Sequence, residues 1–134
     1  MRSGGINWAA VIVAAVAFYL IGFLIYGMIV PEETQMALSG ITEAEKAVAE
    51  TRMMFGVAMP IATAVLMAVL FKWGSVTGAS KGAQWGMLIA LASAVPTVWY
   101  GWVYGGMAVE MSLIDSAHLL LGHVTVGAIL GAWK

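Results

Sequence analysis

The chain has 134 residues, 62% of them hydrophobic and only 10% charged, with a formal net charge of −1 and no cysteine. Soluble domains carry roughly 25% charged residues, so this composition excludes an ordinary water-soluble domain, and near-neutral charge excludes a basic face for nucleic acid. The absence of cysteine excludes disulfides, thiolate metal sites and cysteine-held iron–sulfur clusters.

Four apolar stretches carry most of the chain, at about 6–30, 53–71, 85–104 and 113–133. Each reaches or approaches the roughly 20 residues that cross the hydrocarbon of a bilayer. The expected fold is therefore all-α: one domain over 1–134, an integral membrane bundle of four transmembrane helices. The first stretch is too long for a signal-peptide core of about 7–15 residues, and Pro31-Glu32-Glu33 makes a poor cleavage site. It is expected to remain as a membrane helix.

Orientation follows from the basic residues on each side. With both termini cytoplasmic, that side receives Arg2, Lys72, Lys81 and Lys134, and the other only Lys46 and Arg52. Trp8, Trp73, Trp85 and Trp133 then form one interfacial belt, and Tyr26, Trp99, Tyr100, Trp102 and Tyr104 the other.

Residues 31–52 form an acidic segment expected outside the membrane. Pro31 suits a first helical position, with Glu32 and Glu33 complementing the helix dipole. Gly40 is a natural stop. Thr42-Glu43-Ala44-Glu45 reads as a capping box that opens a helix running straight into the second span.

Small residues recur at helical spacing: Gly56, Pro60, Ala64 and Ala68; Gly86, Ala90 and Ala94; Gly101 and Gly105; Gly127 and Gly131. Helices in lipid associate by close van der Waals contact, which small residues permit. Gly56, Ala64, Gly86, Gly101, Gly105, Gly127 and Gly131 are thus the expected packing positions. Pro60 and Pro96 are expected to bend their helices.

Polar chemistry concentrates in the last span, at Asp115, His118, His123 and Thr125. Asp115, His118, Gly122 and Thr125 share one helical stripe, and Asp115 and His118 are three apart, close enough to touch. A central aspartate costs about 2.5–3.5 kcal/mol on insertion scales. Asp115 is expected to be wet near the outer surface. His118 is expected to face the bundle interior and find a polar partner among Asp115, Thr97, Tyr100 and Tyr26, with His123 nearer a helix or subunit seam. One helix supplies too few ligands for a metal, and two histidines on one helix cannot grip opposite faces of one haem. No catalytic residue, metal or cofactor is expected, and the chain is not expected to be an enzyme.

Asn7-Trp8-Ala9-Ala10-Val11 with Ala14-Ala15, then Gly22 and Tyr26, then Gly40-Ile41-Thr42-Glu43, open a recognisable pattern. Leu113-Ile114-Asp115, His118-Leu119 and Gly127-Ala128-Ile129-Leu130-Gly131-Ala132-Trp133 close it. Over residues 7–133 the chain resembles the bacterial domain of unknown function 1761 family of small four-span membrane proteins. The resemblance implies a four-span fold in a bacterial inner (cytoplasmic) membrane and carries no activity. Two functions are consistent with the residues. The leading expectation is a structural or accessory subunit packing in a homo-oligomer or with other membrane subunits. The alternative is a transporter of protons or a small solute that uses the polar residues of the fourth span.

Overall fold

The computed structural model describes residues 2–133. Lys134, counted above with the cytoplasmic charges, lies outside the described residues. Among those described, a two-strand hairpin and five helices occur in chain order. They are β1 (Arg2–Ser3), β2 (Ile6–Asn7), α1 (Trp8–Ile29), α2 (Glu32–Ser39), α3 (Glu43–Trp73), α4 (Ala79–Tyr104) and α5 (Val109–Ala132). The helices α1, α3, α4 and α5 are each long and apolar enough to cross a membrane.

A short hairpin precedes the helices of this all-α fold. β1 and β2 pair antiparallel, Arg2 opposite Asn7 and Ser3 opposite Ile6. Gly4 and Gly5 turn at φ 60° and 78°, a two-residue loop with both φ positive that favours glycine pairs. The first helix therefore starts at Trp8 rather than Ile6. Asn7 caps it, its side-chain oxygen accepting from the Ala10 N–H at 3.4 Å. The same carboxamide donates to the Trp133 carbonyl at 2.8 Å, tying the start of α1 to the end of α5.

α5 is the centre of the bundle. It packs most extensively on α4, then on α1, and less on α3, while α1 also packs on α3. The hydrophobic core sits toward the end where Asn7 meets Trp133. Ala14, Phe18, Ala64, Met67, Phe71, Val76, Val126 and Leu130 are all buried there. The α4–α5 contact is glycine against backbone. A β-carbon on Gly82 would strike the Gly127 carbonyl, and one on Gly127 the Gly82 carbonyl. Gly86 lies as tightly on the His123 carbonyl, and Gly131 on that of Gly78. The Gly78 N–H closes the seam by donating to the Gly131 carbonyl at 2.8 Å.

Of the expected packing positions, Ala64, Gly86, Gly127 and Gly131 thus lie in tight contacts. Three others lie in different surroundings within the chain. Gly56 is exposed, and a β-carbon there would meet nothing within 4 Å. Gly105 is also exposed and lies against the Gly101 carbonyl of its own helix. Gly101 faces the Met107 side chain of the following loop rather than another helix, at 3.0 Å from a built β-carbon. Gly82, absent from the expectation, belongs to the seam.

Backbone irregularities precede both helix prolines. A 3₁₀ stretch, Met53–Val57, leads into Pro60, and a π-helical stretch, Ala90–Ala94, leads into Pro96. Each adjusts the ladder where a backbone donor is missing. The Ser93 hydroxyl donates to the Ile89 carbonyl at 2.9 Å and the Thr97 hydroxyl to the Ser93 carbonyl at 2.7 Å, each four residues back along the helix.

α2 begins at Glu32, so Pro31 is the residue before the helix and not its first turn. Gly40 ends it at φ 71°. The Thr42–Glu45 capping box forms in both directions, with the Thr42 N–H 2.8 Å from the Glu45 carboxylate and the Glu45 N–H 3.3 Å from the Thr42 hydroxyl. The Thr42 N–H and hydroxyl, both donating to the Glu45 carboxyl, hold it below its ordinary range. Lys46 pairs with Glu32 of α2.

Candidate functional site

The site lies at the opposite end from the Asn7–Trp133 tie and is built by α1, α2 and α5. α1 changes to a π-helical turn over Ile25–Ile29, closed by the Val30 N–H donating to the Ile25 carbonyl at 2.8 Å. Such turns add a residue to the helix and re-aim its side chains. Here the turn carries Tyr26, which faces α5. Its hydroxyl donates to Asp115 Oδ1 at 2.5 Å and lies 3.4 Å from His118 Nδ1. The tyrosine and imidazole rings meet edge to face, centroids 5.2 Å apart at 89°.

Asp115 and His118 sit one turn apart on α5, and Tyr26 joins them. A phenol has one proton, and here it goes to the carboxylate. In the tautomer with the ring proton on Nδ1, His118 donates to the phenol oxygen, giving the order His118, Tyr26, Asp115. The imidazole's other nitrogen lies against Gly22 of α1, where a β-carbon would stand 3.0 Å from Nε2. Gly22 therefore makes room for the ring.

One turn earlier on α1, Phe18 fills the place a side chain at Gly122 would occupy. Its ring centroid is 5.4 Å from His118 and 5.4 Å from His123. His123 is buried, and its Nδ1 lies 2.7 Å from the Leu119 carbonyl, an i−4 bond along its own helix. Its backbone forms the Gly86 contact, so it lies at the α4–α5 seam and also touches α1 through Phe18.

On the other flank Ser116 accepts from the Trp99 indole N–H of α4 at 3.2 Å and donates to the Ser112 carbonyl at 2.6 Å. Above the cluster, the Gln35 carboxamide of α2 donates to the Tyr26 carbonyl at 2.6 Å and the Val30 carbonyl at 2.8 Å. Thr125 is half-buried, two turns beyond His118 and outside the cluster. Among the described residues, no three His, Asp or Glu side chains come together as a metal site.

Asp115 is thus held by a neighbouring helix rather than simply wet, which corrects that expectation. Of the partners considered for His118, Tyr26 is the one present. The Thr97 hydroxyl turns to its own helix, and Tyr100 stacks on Tyr104 with centroids 5.8 Å apart. Gln35 and Phe18 were not singled out from the sequence, and Gly22 only as part of the family pattern. Gln35 carried a usable signal as the one amide on α2, the short helix directly after the first span.

No curated protein and no solved structure matches the chain. A family described as Protein of unknown function (DUF1761) matches residues 9–131. That match runs from the second residue of α1 through the Gly131 end of the seam and takes in every residue of the polar cluster, and the chain belongs to this family.

Proposed function

We propose that the protein handles protons at the Tyr26–Asp115–His118 cluster. The observation that carries this reading is the Tyr26 hydroxyl held between a carboxylate and an imidazole. Asp115 is the one aspartate of the chain and the one formal charge inside its apolar stretches, and ionisable groups in such positions commonly mark proton or ion pathways. The chemistry is a relay. A proton arriving on His118 Nε2 allows the Nδ1 proton to pass to the Tyr26 oxygen, while the Tyr26 proton passes to Asp115. The carboxyl becomes neutral, the phenol is restored, and the imidazole is left neutral in its other tautomer.

The same reading sets the protein in a bacterial cytoplasmic membrane with both termini inside, supported by the bias of Lys and Arg and by the two aromatic belts. The cluster then lies near the outer interface, with α2 above it. In proteoliposomes carrying an internal pH dye, the wild-type protein is expected to dissipate an imposed proton gradient, and Asp115→Asn to return leakage to that of empty vesicles while keeping its thermal unfolding midpoint. Wild-type leakage equal to empty vesicles overturns the proposal.

A structural or accessory subunit remains the second reading. It is favoured by large apolar side chains on the outer face of α3, where Met53, Met54, Phe55 and Met59 are each more than 60% exposed. It has lost one support, because the α4–α5 glycines are used within the chain rather than between chains. Mass measurement in mild detergent tests it, and a strictly monomeric particle counts against it.

A further inference from the structure

We infer that Gln35 is a positioning residue for the cluster, through its hold on the π-helical turn that carries Tyr26. The inference rests on reading Tyr26, Asp115 and His118 as the working site. A π turn at a helix end leaves carbonyls without helical partners, and unpaired carbonyls are costly where water is scarce. The two at issue, Tyr26 and Val30, both accept from Gln35 Nε2, at 2.6 and 2.8 Å. A carboxamide nitrogen has two protons, and two carbonyls take them.

α2 also grips the other half of the site. The Ala108 N–H, immediately before α5, donates to the Leu38 carbonyl of α2 at 2.8 Å. The short helix therefore holds the end of α1 by Gln35 and the start of α5 by Leu38. Those are the two helices whose relative position sets the 2.5 Å contact between Tyr26 and Asp115. The Glu32–Lys46 pair fixes α2 on the α3 side as well. Loss of the Gln35 donors frees the Tyr26 carbonyl to rejoin a regular α-turn. That change rotates the tyrosine, since one residue fewer per turn re-aims every side chain beyond it.

The test uses the full chain in nanodiscs, with aspartate labelled at ¹³Cγ. Asp115 is the one aspartate, so a single resonance reports the site. Tyr26→Phe is expected to move that resonance. Gln35→Met, similar in shape but without a donor, is expected to move it most of the way to the Tyr26→Phe value. The double variant is expected to coincide with Tyr26→Phe alone, because Gln35 acts through Tyr26. A Gln35→Met protein that melts earlier but keeps the wild-type aspartate signal overturns the inference and leaves the proton reading standing. A Tyr26→Phe protein with an unmoved signal removes the site reading itself. Should Gln35→Met fail to fold, side-chain amide exchange in the wild type decides: Gln35 protons protected far more than those of exposed Gln84 support the inference, and equal exchange overturns it.

Discussion

Where Asn7 meets Trp133, α4 and α5 approach through glycine against carbonyl, Gly82 and Gly127 each lying on the other's carbonyl. At the other end, Tyr26, Asp115, His118 and Gln35 meet through hydrogen bonds between half-buried groups, and α1 leaves regular helical geometry to allow it. The first arrangement depends on volume and tolerates no added atom. The second depends on donors and acceptors in register and tolerates a change of volume better than a change of polarity. One chain therefore answers to two kinds of substitution, according to which end is touched.

The largest expected effect is at the seam. Gly127→Leu forces apart backbones already in contact, and overpacking of this kind costs about 1–3 kcal/mol or more. The thermal unfolding midpoint in detergent should fall steeply, whereas Gly56→Leu, on an open surface, should leave it within the scatter of a surface change of about 0.5 kcal/mol. Equal losses at the two glycines would erase the contrast between the ends. Next in size is Tyr26→Phe, which removes a bond to a charged acceptor worth about 1.5–3 kcal/mol but keeps the ring. Its midpoint should fall less than that of Gly127→Leu, and its proton leakage should fall toward that of empty vesicles. A variant that leaks like the wild type would mean that polarity at this end has no functional weight.

Orientation is checked with thiols, for which the cysteine-free chain is a clean background. A cysteine at Ser39 should react with an impermeant reagent from outside intact cells, and one at Ser75 only after lysis. The reverse pattern puts the polar end inside. The smallest effect belongs to the capping box. Because the folded protein depresses the Glu45 pKa, its contribution is present above the unfolded value and disappears as pH falls through the folded one. The protection of amides at residues 43–46, measured against their intrinsic exchange rates at each pH, should therefore fall on acidification in the wild type, and in Thr42→Ala it should be low and nearly constant with pH.

The local signals that could be read from the sequence are those written in short-range chemistry. The Thr42–Glu45 box, the Gly40 stop and the continuous run of α3 follow from neighbouring residues, and the structure contains all three. The four long apolar helices follow from length and hydropathy. The Gly4-Gly5 hairpin was equally local and went unread, because a strand signal of two residues is lost beside a span of more than twenty. The polar partnership depended on distance in a different sense. Tyr26 and Asp115 are 89 residues apart in sequence, and only the assembled helices set them at one depth. The seam shows the limit from the other side. Spacing marks Gly56 and Gly127 alike, and which of them meets a neighbour is decided by which face of each helix turns to α5.

The central place of α5 has a consequence for how the protein is made. Synthesis runs from the N-terminus, so α5 leaves the ribosome after the other three long helices, yet it is the helix on which α4 chiefly packs and which α1 needs on one flank. Until it arrives, Gly82 and Gly86 present bare backbone to lipid, and Tyr26 has neither Asp115 nor His118 to meet. The two dozen residues of α5 are thus what joins the earlier helices into one bundle.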